Sequence, residues 1–294
     1  MSKVYEIVTQ RIVAMLEKGV IPWRRPWKGA PPQNLITRKP YRGINSLILG
    51  FSGSSFFLTF NQARAIGAHI KKGAQGLPVV FWKFLDGKGS KQQQEDEEST
   101  GTKNRRTPLL RYYTVFRIED VEGIPENKLP EIIKASAVEP IEQAEKIVEN
   151  MLQRPEINYG GNSAFYKPSG DSVTVPVKGA FGKIEEFYST LFHELTHSTG
   201  HPSRLARKSL EAYAPFGSAD YSREELVAEM GAGFLCASCG IDNSTLENSA
   251  SYIDHWMKAL KADPRAVIVA AGQAQKAADF ILGENPAEAP GQDD

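Results

Sequence analysis

Hydrophobic positions recur at helical spacing near the start of the chain. They are Val4, Ile7, Val8, Ile12, Val13 and Leu16, with Gly19 following as a stop signal. This spacing predicts an amphipathic helix over 4–18. The next segment holds four prolines within eleven residues, between Pro22 and Pro32. Because proline excludes regular structure, we expect an extended stretch laid over a surface.

The rest of the first half contains patterns typical of a helix and two strands. A second helix is predicted near 59–72. The apolar runs LPVVFWKFL at 77–85 and LLRYYTVFRIEDV at 109–121 predict strands. A polar, low-complexity insert at about 87–107 lies between them and predicts a flexible hairpin loop.

A segment without periodic pattern separates the two halves of the chain. Residues 122–137 contain two prolines and neither helical nor strand-like spacing. We therefore expect an N-terminal domain over 1–125, a linker over 126–137 and a second domain over 138–294.

The second half combines helices with at least one strand. Its pattern predicts a helix at 141–154, a strand at 171–177 and mainly helical structure from about 183 onward. The predicted fold class is α+β, with two domains.

Composition places the chain among ordinary globular proteins. Hydrophobic residues make up 41% and charged residues 24% of the sequence. No apolar run approaches the roughly 18 residues that cross a bilayer, and charges at Lys3, Glu6 and Arg11 interrupt any signal-peptide pattern. We expect a soluble cytoplasmic protein without a membrane partner.

The only cysteines, Cys236 and Cys239, fit a reducing compartment and are interpreted as buried helix residues rather than half of a zinc ribbon.

The net charge of zero conceals an asymmetry along the chain. Residues 1–90 contain 14 Lys and Arg against three acids, a net charge of +11, so that 91–294 carries −11. A basic half with aromatic residues predicts a polyanionic partner, and nucleic acid is the default choice.

The strongest chemical signal is the pentapeptide His193-Glu194-Leu195-Thr196-His197. Phe187, Leu191 and Leu195 form an apolar stripe around it and Gly200 follows, so the pentapeptide is predicted to lie on a helix. Histidines four apart share a helix face and can bind one ion, while Glu194 lies beside the water that the ion activates. The alternative is a pair of surface histidines around a salt-bridged glutamate.

A catalytic zinc site needs a third protein ligand and one open position. A metzincin would have histidine where this chain has Ser203, and His201 lies beyond the end of the helix, so neither is favoured. The helix around 221–237 offers Glu225 and Glu229 on one face, near the small Gly231 and Gly233.

The ExxxE spacing indicates a gluzincin-type arrangement. We assign Glu225 to the metal and Glu229 to a hydrogen bond with a ligating imidazole, with the reverse assignment left open. Glu224 is expected to point away into solvent. Tyr213 and Tyr221 are candidates for stabilising an oxyanion. The implied cofactor is one Zn²⁺ per chain, with other divalent transition metals as alternatives, and the implied reaction is amide hydrolysis with Glu194 as general base.

Basic and aromatic residues interleave in the first half. Aromatic faces stack on bases and cations follow phosphates, which favours single-stranded nucleic acid. A solvated basic face over a small core is the alternative. The predicted DNA-binding residues are Trp23, Arg24, Arg25, Trp27, Lys28, Arg38, Lys39, Tyr41 and Arg42, with a second cluster at Arg64, His69, Lys71 and Lys72.

Several long segments together resemble the ArdC-type antirestriction proteins of conjugative plasmids. They are WRRPW, KPYRGIN and FLTFNQARAIGAHIKKG in the first half, and FYSTLFHELTHSTGHPSRLAR and EELVAEMGAGFLCA in the second. The resemblance covers nearly the whole chain and departs visibly only at the acidic insert of about 90–106.

This resemblance implies an N-terminal domain that binds single-stranded DNA, also found on TraC-type primases, and a C-terminal zincin-like metallopeptidase domain. It implies protection of incoming plasmid DNA from host restriction. Two functions stay open: a peptidase acting on a restriction enzyme or another DNA-bound protein, and a DNA-binding shield with a structural or vestigial metal site. Glu194 favours the peptidase, because a structural zinc site has no use for it. A nuclease is disfavoured, since no carboxylate-rich magnesium site is apparent.

Overall fold

A computed structural model describes most of the chain. The residues described are 3–24, 31–85, 107–130, 139–208, 219–242 and 250–284. Within them, the first half contains helices α1 (Lys3–Leu16), α2 (Ile44–Gly50) and α3 (Phe60–Ala65). Its strands are β1 (Gln33–Asn34), β2 (Phe56–Thr59), β3 (His69–Ile70), β4 (Leu77–Leu85), β5 (Thr107–Arg117) and β6 (Val121–Glu122).

The strands of the first half form two sheets. The larger has the order β1-β2-β5-β4, and the smaller pairs β3 with β6. Strands β4 and β5 are antiparallel, with the register running from Leu77 opposite Val115 to Leu85 opposite Thr107. Both strands were predicted. The insert at about 87–107 lies outside the described residues except for its last position.

The prediction of a helix near 59–72 is correct only for the first turns and wrong for the rest. Thr59 begins α3 with a capping box, in which its hydroxyl accepts from the backbone of Gln62. The helix ends after six residues because Gly67 adopts φ +78°, and the amide of Ala68 donates back to Ala63. The chain then enters β3 instead of continuing as a helix.

The second half contains five described helices around a small sheet. They are α4 (Pro140–Asn150), α5 (Ile184–Ser198), α6 (Ala219–Cys239), α7 (Ala250–Ala262) and α8 (Ala266–Leu282). Strands β7 (Glu156–Tyr159), β8 (Phe165–Lys167) and β9 (Ser172–Val175) form a sheet in the order β7-β9-β8. The α+β class is confirmed.

The hydrophobic core continues across the predicted domain boundary. Helix α1 buries Val8 and Ile12 in the same cluster as Leu260 and Ala271 of the C-terminal helices. The division into 1–125, 126–137 and 138–294 stays a prediction, but the two halves share one packed interior. A second cluster joins α4, α5, α6, α8 and the sheet of the second half, and it holds both buried cysteines. None of the described helices has the length and apolar composition to span a bilayer.

Candidate metal centre

Helix α5 separates an apolar face from a polar one. Phe187, Leu191 and Leu195 are at most 1% exposed and face the second core, as the stripe predicts. His193 and His197 are four residues apart on the helix and keep 19% and 11% of their side chains exposed. The buried stripe therefore fixes the helix orientation that presents both imidazoles together.

Helix α6 brings a carboxylate to the two imidazoles. The Nε2 atoms of His193 and His197 lie 3.1 Å apart. One oxygen of Glu225 lies 3.5 Å from Nε2 of His193, and the other lies 3.5 Å from Nε2 of His197. Among the described residues these three form a group whose ligand atoms lie within 4.8 Å of one another.

The spacing of the ligand atoms of these three residues fits one small ion. Donors about 2.0–2.1 Å from a tetrahedral zinc stand about 3.3 Å from each other. The observed separations of 3.1, 3.5 and 3.5 Å bracket that value. Two imidazoles with one carboxylate also make up a ligand set that catalytic zinc uses in proteins. The residues therefore fit a divalent metal without rearrangement.

Two further glutamates of α6 lie behind the imidazoles. Glu229 is 3.7 Å from Nδ1 of His193, and Glu224 is 3.4 Å from Nδ1 of His197. Each Nδ1 thus faces a carboxylate, which favours the tautomer whose Nε2 lone pair points to the ion. The expectation that Glu224 is a solvated acid is wrong, since it is 5% exposed.

Arg207 explains how Glu224 can be buried. Its guanidinium donates to both oxygens of Glu224, at 3.2 and 2.6 Å, and to the carbonyl oxygen of Thr196 at 2.8 Å. The loop after α5 turns Arg207 inward through Ala206, which has φ +47°. Sequence reasoning missed this arginine, because it lies outside both helices and only the tertiary fold brings it to Glu224.

The charges around the site favour a bound cation. Burial alone would lower the pKa of His197, but Glu224 and Glu225 raise it to about 10. Burial would raise the pKa of Glu224, but His197 and Arg207 hold it at about 2. Against the same burial, both imidazoles hold the pKa of Glu225 well below its usual range. The carboxylates are therefore ionised and hold positive charge between them.

Close packing of α5 on α6 is made possible by one glycine. A Cβ at Gly231 would lie 2.5 Å from the side chain of Thr196, which lies between the two histidines of the pentapeptide. The second glycine of this helix, Gly233, instead faces the carbonyl of Trp23, which a Cβ would overlap. The metal-site helix is thus packed tightly against the N-terminal segment as well.

The remaining residues predicted near the metal take different positions. Glu194 is 8% exposed on α5, next to His193. His201 lies past the helix end, where its Nδ1 is 2.8 Å from the hydroxyl of Ser203, and it is not part of the ligand group. Tyr221 lies in α6 and is partly buried, whereas Tyr213 lies outside the described residues.

Several residues predicted to bind DNA instead hold the two halves together. The ring of Trp23 is 2% exposed and packs edge-on against Trp256, with ring centroids 5.0 Å apart. It therefore cannot stack on a base in this structure, and that expectation is corrected. Tyr41 is likewise buried, against Phe57. Arg42 forms a salt bridge with Asp279 of α8.

The other predicted DNA contacts divide into three groups. Arg24 is partly buried, and its guanidinium interacts electrostatically with the carboxylate of Glu229. Other cations of the first half remain exposed, and among them Lys71 donates to the carbonyl of Glu119. These exposed cations are Arg38, Arg64, Lys71 and Lys72, whereas Lys39 is partly buried like Arg24. Arg25, Trp27 and Lys28 lie outside the described residues.

Comparison with known proteins bears directly on this arrangement. A family model for the N-terminal domain of the anti-restriction factor ArdC matches residues 2–116, and one for a zincin-like metallopeptidase matches 142–273. The crystal structure of metal-free ArdC from plasmid R388 superposes with a TM-score of 0.73 at 33% identity, covering 95% of this chain and 97% of that one. This chain belongs to the ArdC family. The Mn(II)-bound structure of the same ArdC protein gives a TM-score of 0.72 at 31% identity, covering 96% and 98%.

Other proteins similar to this chain differ in length. The protein y4eC of Sinorhizobium fredii is 33% identical, over 95% of this chain and 92% of its own. Two DNA primases TraC of Escherichia coli are 36% and 35% identical over 95% of this chain. The chain spans only 27% and 20% of those primases.

Proposed function

We propose that this ArdC-family chain is a zinc-dependent peptidase that binds single-stranded DNA and protects incoming conjugative DNA from restriction. The supporting observation is the convergence of His193, His197 and Glu225 at spacings suited to one tetrahedral ion, with Glu194 next in sequence to the first ligand. The Mn(II)-bound R388 ArdC protein supports a divalent metal here too. Zinc is our assignment, from the two imidazoles and one carboxylate.

Each residue then has a separate task. When bound, the ion lowers the pKa of a water and polarises the substrate carbonyl. Glu194 accepts the proton of the attacking water and returns it to the leaving amine. His193, His197 and Glu225 hold the ion, while Glu224 and Glu229 keep the imidazoles in the ligating tautomer. A DNA-bound protein such as a restriction enzyme is the proposed substrate.

The DNA-binding part of the proposal rests on charge and on family. The first 90 residues carry a net charge of +11, and relatives include DNA primases. Four cations of this half that were predicted to meet DNA are exposed: Arg38, Arg64, Lys71 and Lys72. Duplex DNA should bind more weakly than single strands, because paired bases offer no free faces.

The proposal is tested by separating metal binding from hydrolysis. His193→Ala should remove stoichiometric metal, because it deletes a ligand, whereas Glu194→Gln should retain the metal and lose hydrolysis. Metal content is measured on the purified protein. Proteolysis of candidate restriction enzymes is then followed with and without single-stranded DNA.

A neighbouring histidine provides the matched control. His201→Ala removes an imidazole eight residues beyond His193 that is outside the ligand group, so metal content and hydrolysis should both persist. Glu225→Ala should weaken metal binding more than Glu229→Ala. Removing a carboxylate that only orients a ligating imidazole typically lowers metal affinity by about 10–100-fold, whereas Glu225 is itself a proposed ligand. Tight metal binding by His193→Ala would refute the site. If the wild type binds metal and DNA but cleaves no candidate, the DNA-binding shield is the better description.

A further inference from the structure

The β4–β5 hairpin carries exposed aromatic rings that are not part of the buried core. Trp82 on β4 is 46% exposed and Tyr112 on β5 is 49% exposed. Phe81 and Tyr113 are partly exposed beside them, with ring centroids 5.7 Å apart. Trp82 and Tyr112 therefore lie on one face of the hairpin with about half their surface in water, and Phe81 and Tyr113 lie on the other face.

The strand register explains how these rings are arranged. Trp82 lies opposite Leu110 and Val80 lies opposite Tyr112, so all four residues point to one face of the sheet. Val80 and Leu110 are 5% and 3% exposed, in the cluster that includes α1 and α2. Val80 and Leu110 are thus one diagonal pair across the two strands, and Trp82 and Tyr112 are the other. Diagonal neighbours are about 7–8 Å apart at the backbone, a separation that aromatic side chains can bridge.

The opposite face of the hairpin adds a cation. Arg111 lies directly across from Phe81 and two residues before Tyr113 on the same strand. Its side chain is exposed and makes no ion pair with another described residue. The hairpin therefore combines exposed rings with a positive charge, in the half of the chain whose first 90 residues carry +11. Single-stranded nucleic acid is the partner that needs both features, rings for the bases and cations for the phosphates.

We propose that Trp82 and Tyr112 are the base-stacking residues of this protein, with Arg111 contacting phosphate. This inference rests on the proposed binding of single-stranded DNA and assigns it a surface. Trp23 and Tyr41 cannot serve there, since both are buried. Strand β4 lies at the edge of its sheet, so a nucleic acid strand can approach the hairpin from that side without moving a neighbouring strand.

The test measures binding of a fluorescent oligo(dT) to the full chain at several salt concentrations. Trp82→Ala and Tyr112→Ala should each weaken binding about 5- to 150-fold, the cost of one lost stacked base. Their salt slopes should stay unchanged, because stacking releases no counterions. Arg111→Gln should instead lower the slope by about 0.7. Trp82→Phe and Tyr112→Phe keep a ring and should restore most of the affinity.

Intrinsic tryptophan fluorescence gives an independent readout. Of the four tryptophans, Trp23 and Trp256 are buried and Trp82 is exposed, while Trp27 lies outside the described residues. Oligonucleotide should therefore quench the wild type and the Trp27→Phe variant, and should quench Trp82→Phe much less. Phe165→Ala is the control, because that ring is 47% exposed but lies in the second half, and it should leave binding unchanged.

The possible outcomes separate this inference from the proposed function. If the wild type binds oligo(dT) while Trp82→Ala and Tyr112→Ala bind equally well, the hairpin is not the stacking surface and DNA binding is located elsewhere. Such exposed rings would then be a contact for protein. If the wild type binds no single-stranded DNA, the DNA-binding part of the proposed function fails as well. Equal affinity for single-stranded and duplex DNA of the same length would also overturn the proposed base stacking.

Discussion

At the scale of single residues, three glutamates of one helix have three different environments. Glu225 lies between the two Nε2 atoms, Glu229 lies behind His193, and Glu224 is buried between His197 and Arg207. Glu224 and Glu225 are adjacent in sequence, yet Glu224 meets a guanidinium and Glu225 does not. The difference arises from Arg207, whose charge offsets the cost of burying the Glu224 carboxylate.

The Glu224–Arg207 pair leads to a prediction about metal affinity and stability together. Glu224→Gln should weaken metal binding about 10–100-fold, because the carboxylate no longer orients His197. It should also lower the free energy of unfolding of the metal-free protein by about 3–5 kcal/mol, since Arg207 is left buried without its charge partner. Chelator competition measures the first effect, and urea denaturation measures the second.

Glu229→Gln is the matched control for this prediction. Its side chain is 23% exposed, against 6% for Glu224, and it lies 3.7 Å from its imidazole. It should weaken metal binding but change stability by less than about 1 kcal/mol, as expected for a more exposed pair. Equal loss of stability in both variants would contradict the role assigned to Arg207.

At the scale of elements, the proposed metal centre depends on how closely α5 and α6 approach. The two imidazoles come from α5 and the carboxylate ligand from α6, so any change in helix separation moves the ligands apart. Thr196 of α5 packs against Gly231 of α6 so closely that a Cβ at this glycine would overlap it. Helix packing and ligand geometry are therefore set by the same pair of residues.

Glycine substitutions test this coupling. Gly231→Ala should push α6 away from Thr196 and lower both metal affinity and stability, because overpacking costs about 1–3 kcal/mol. Gly272→Ala in α8 is the control, since a Cβ there meets nothing within 4 Å. That variant should gain roughly 0.5–1 kcal/mol from helix propensity. Thermal denaturation and chelator competition are the measurements, and unchanged metal affinity in Gly231→Ala would contradict the coupling.

The elements also show what the sequence could and could not predict. Helices α1 and α5 follow from periodicity, because each buries a regular stripe of its own residues. Strands β4 and β5 follow from runs rich in β-branched and aromatic residues. The end of α3 could not be placed this way, since Gly67 stops the helix by its backbone conformation. The roles of Trp23 and Arg42 were also missed. Both look like ligand-binding residues in sequence, but their partners, Trp256 and Asp279, are more than 200 positions away.

At the scale of the whole molecule, the two halves are joined by charge, hydrogen bonds and core packing. Arg42 pairs with Asp279, and the amide of Gly43 donates to the side chain of Gln275 at 2.9 Å. The hydroxyl of Thr9 donates to the carbonyl of Pro264 at 2.6 Å. The halves are thus distinct in sequence and in charge, but they form one interior.

This shared interior predicts that both halves unfold together. Trp23→Ala should destabilise the chain by about 3–5 kcal/mol, because it empties a site packed against Trp256. Urea titration would follow metal release as a probe of the second half and amide exchange of β5 as a probe of the first. Both midpoints should shift by the same amount. The exposed Trp82→Ala should move neither. A shift of only one midpoint would instead mean that 1–125 and 138–294 fold independently, with Trp23 belonging to one of them.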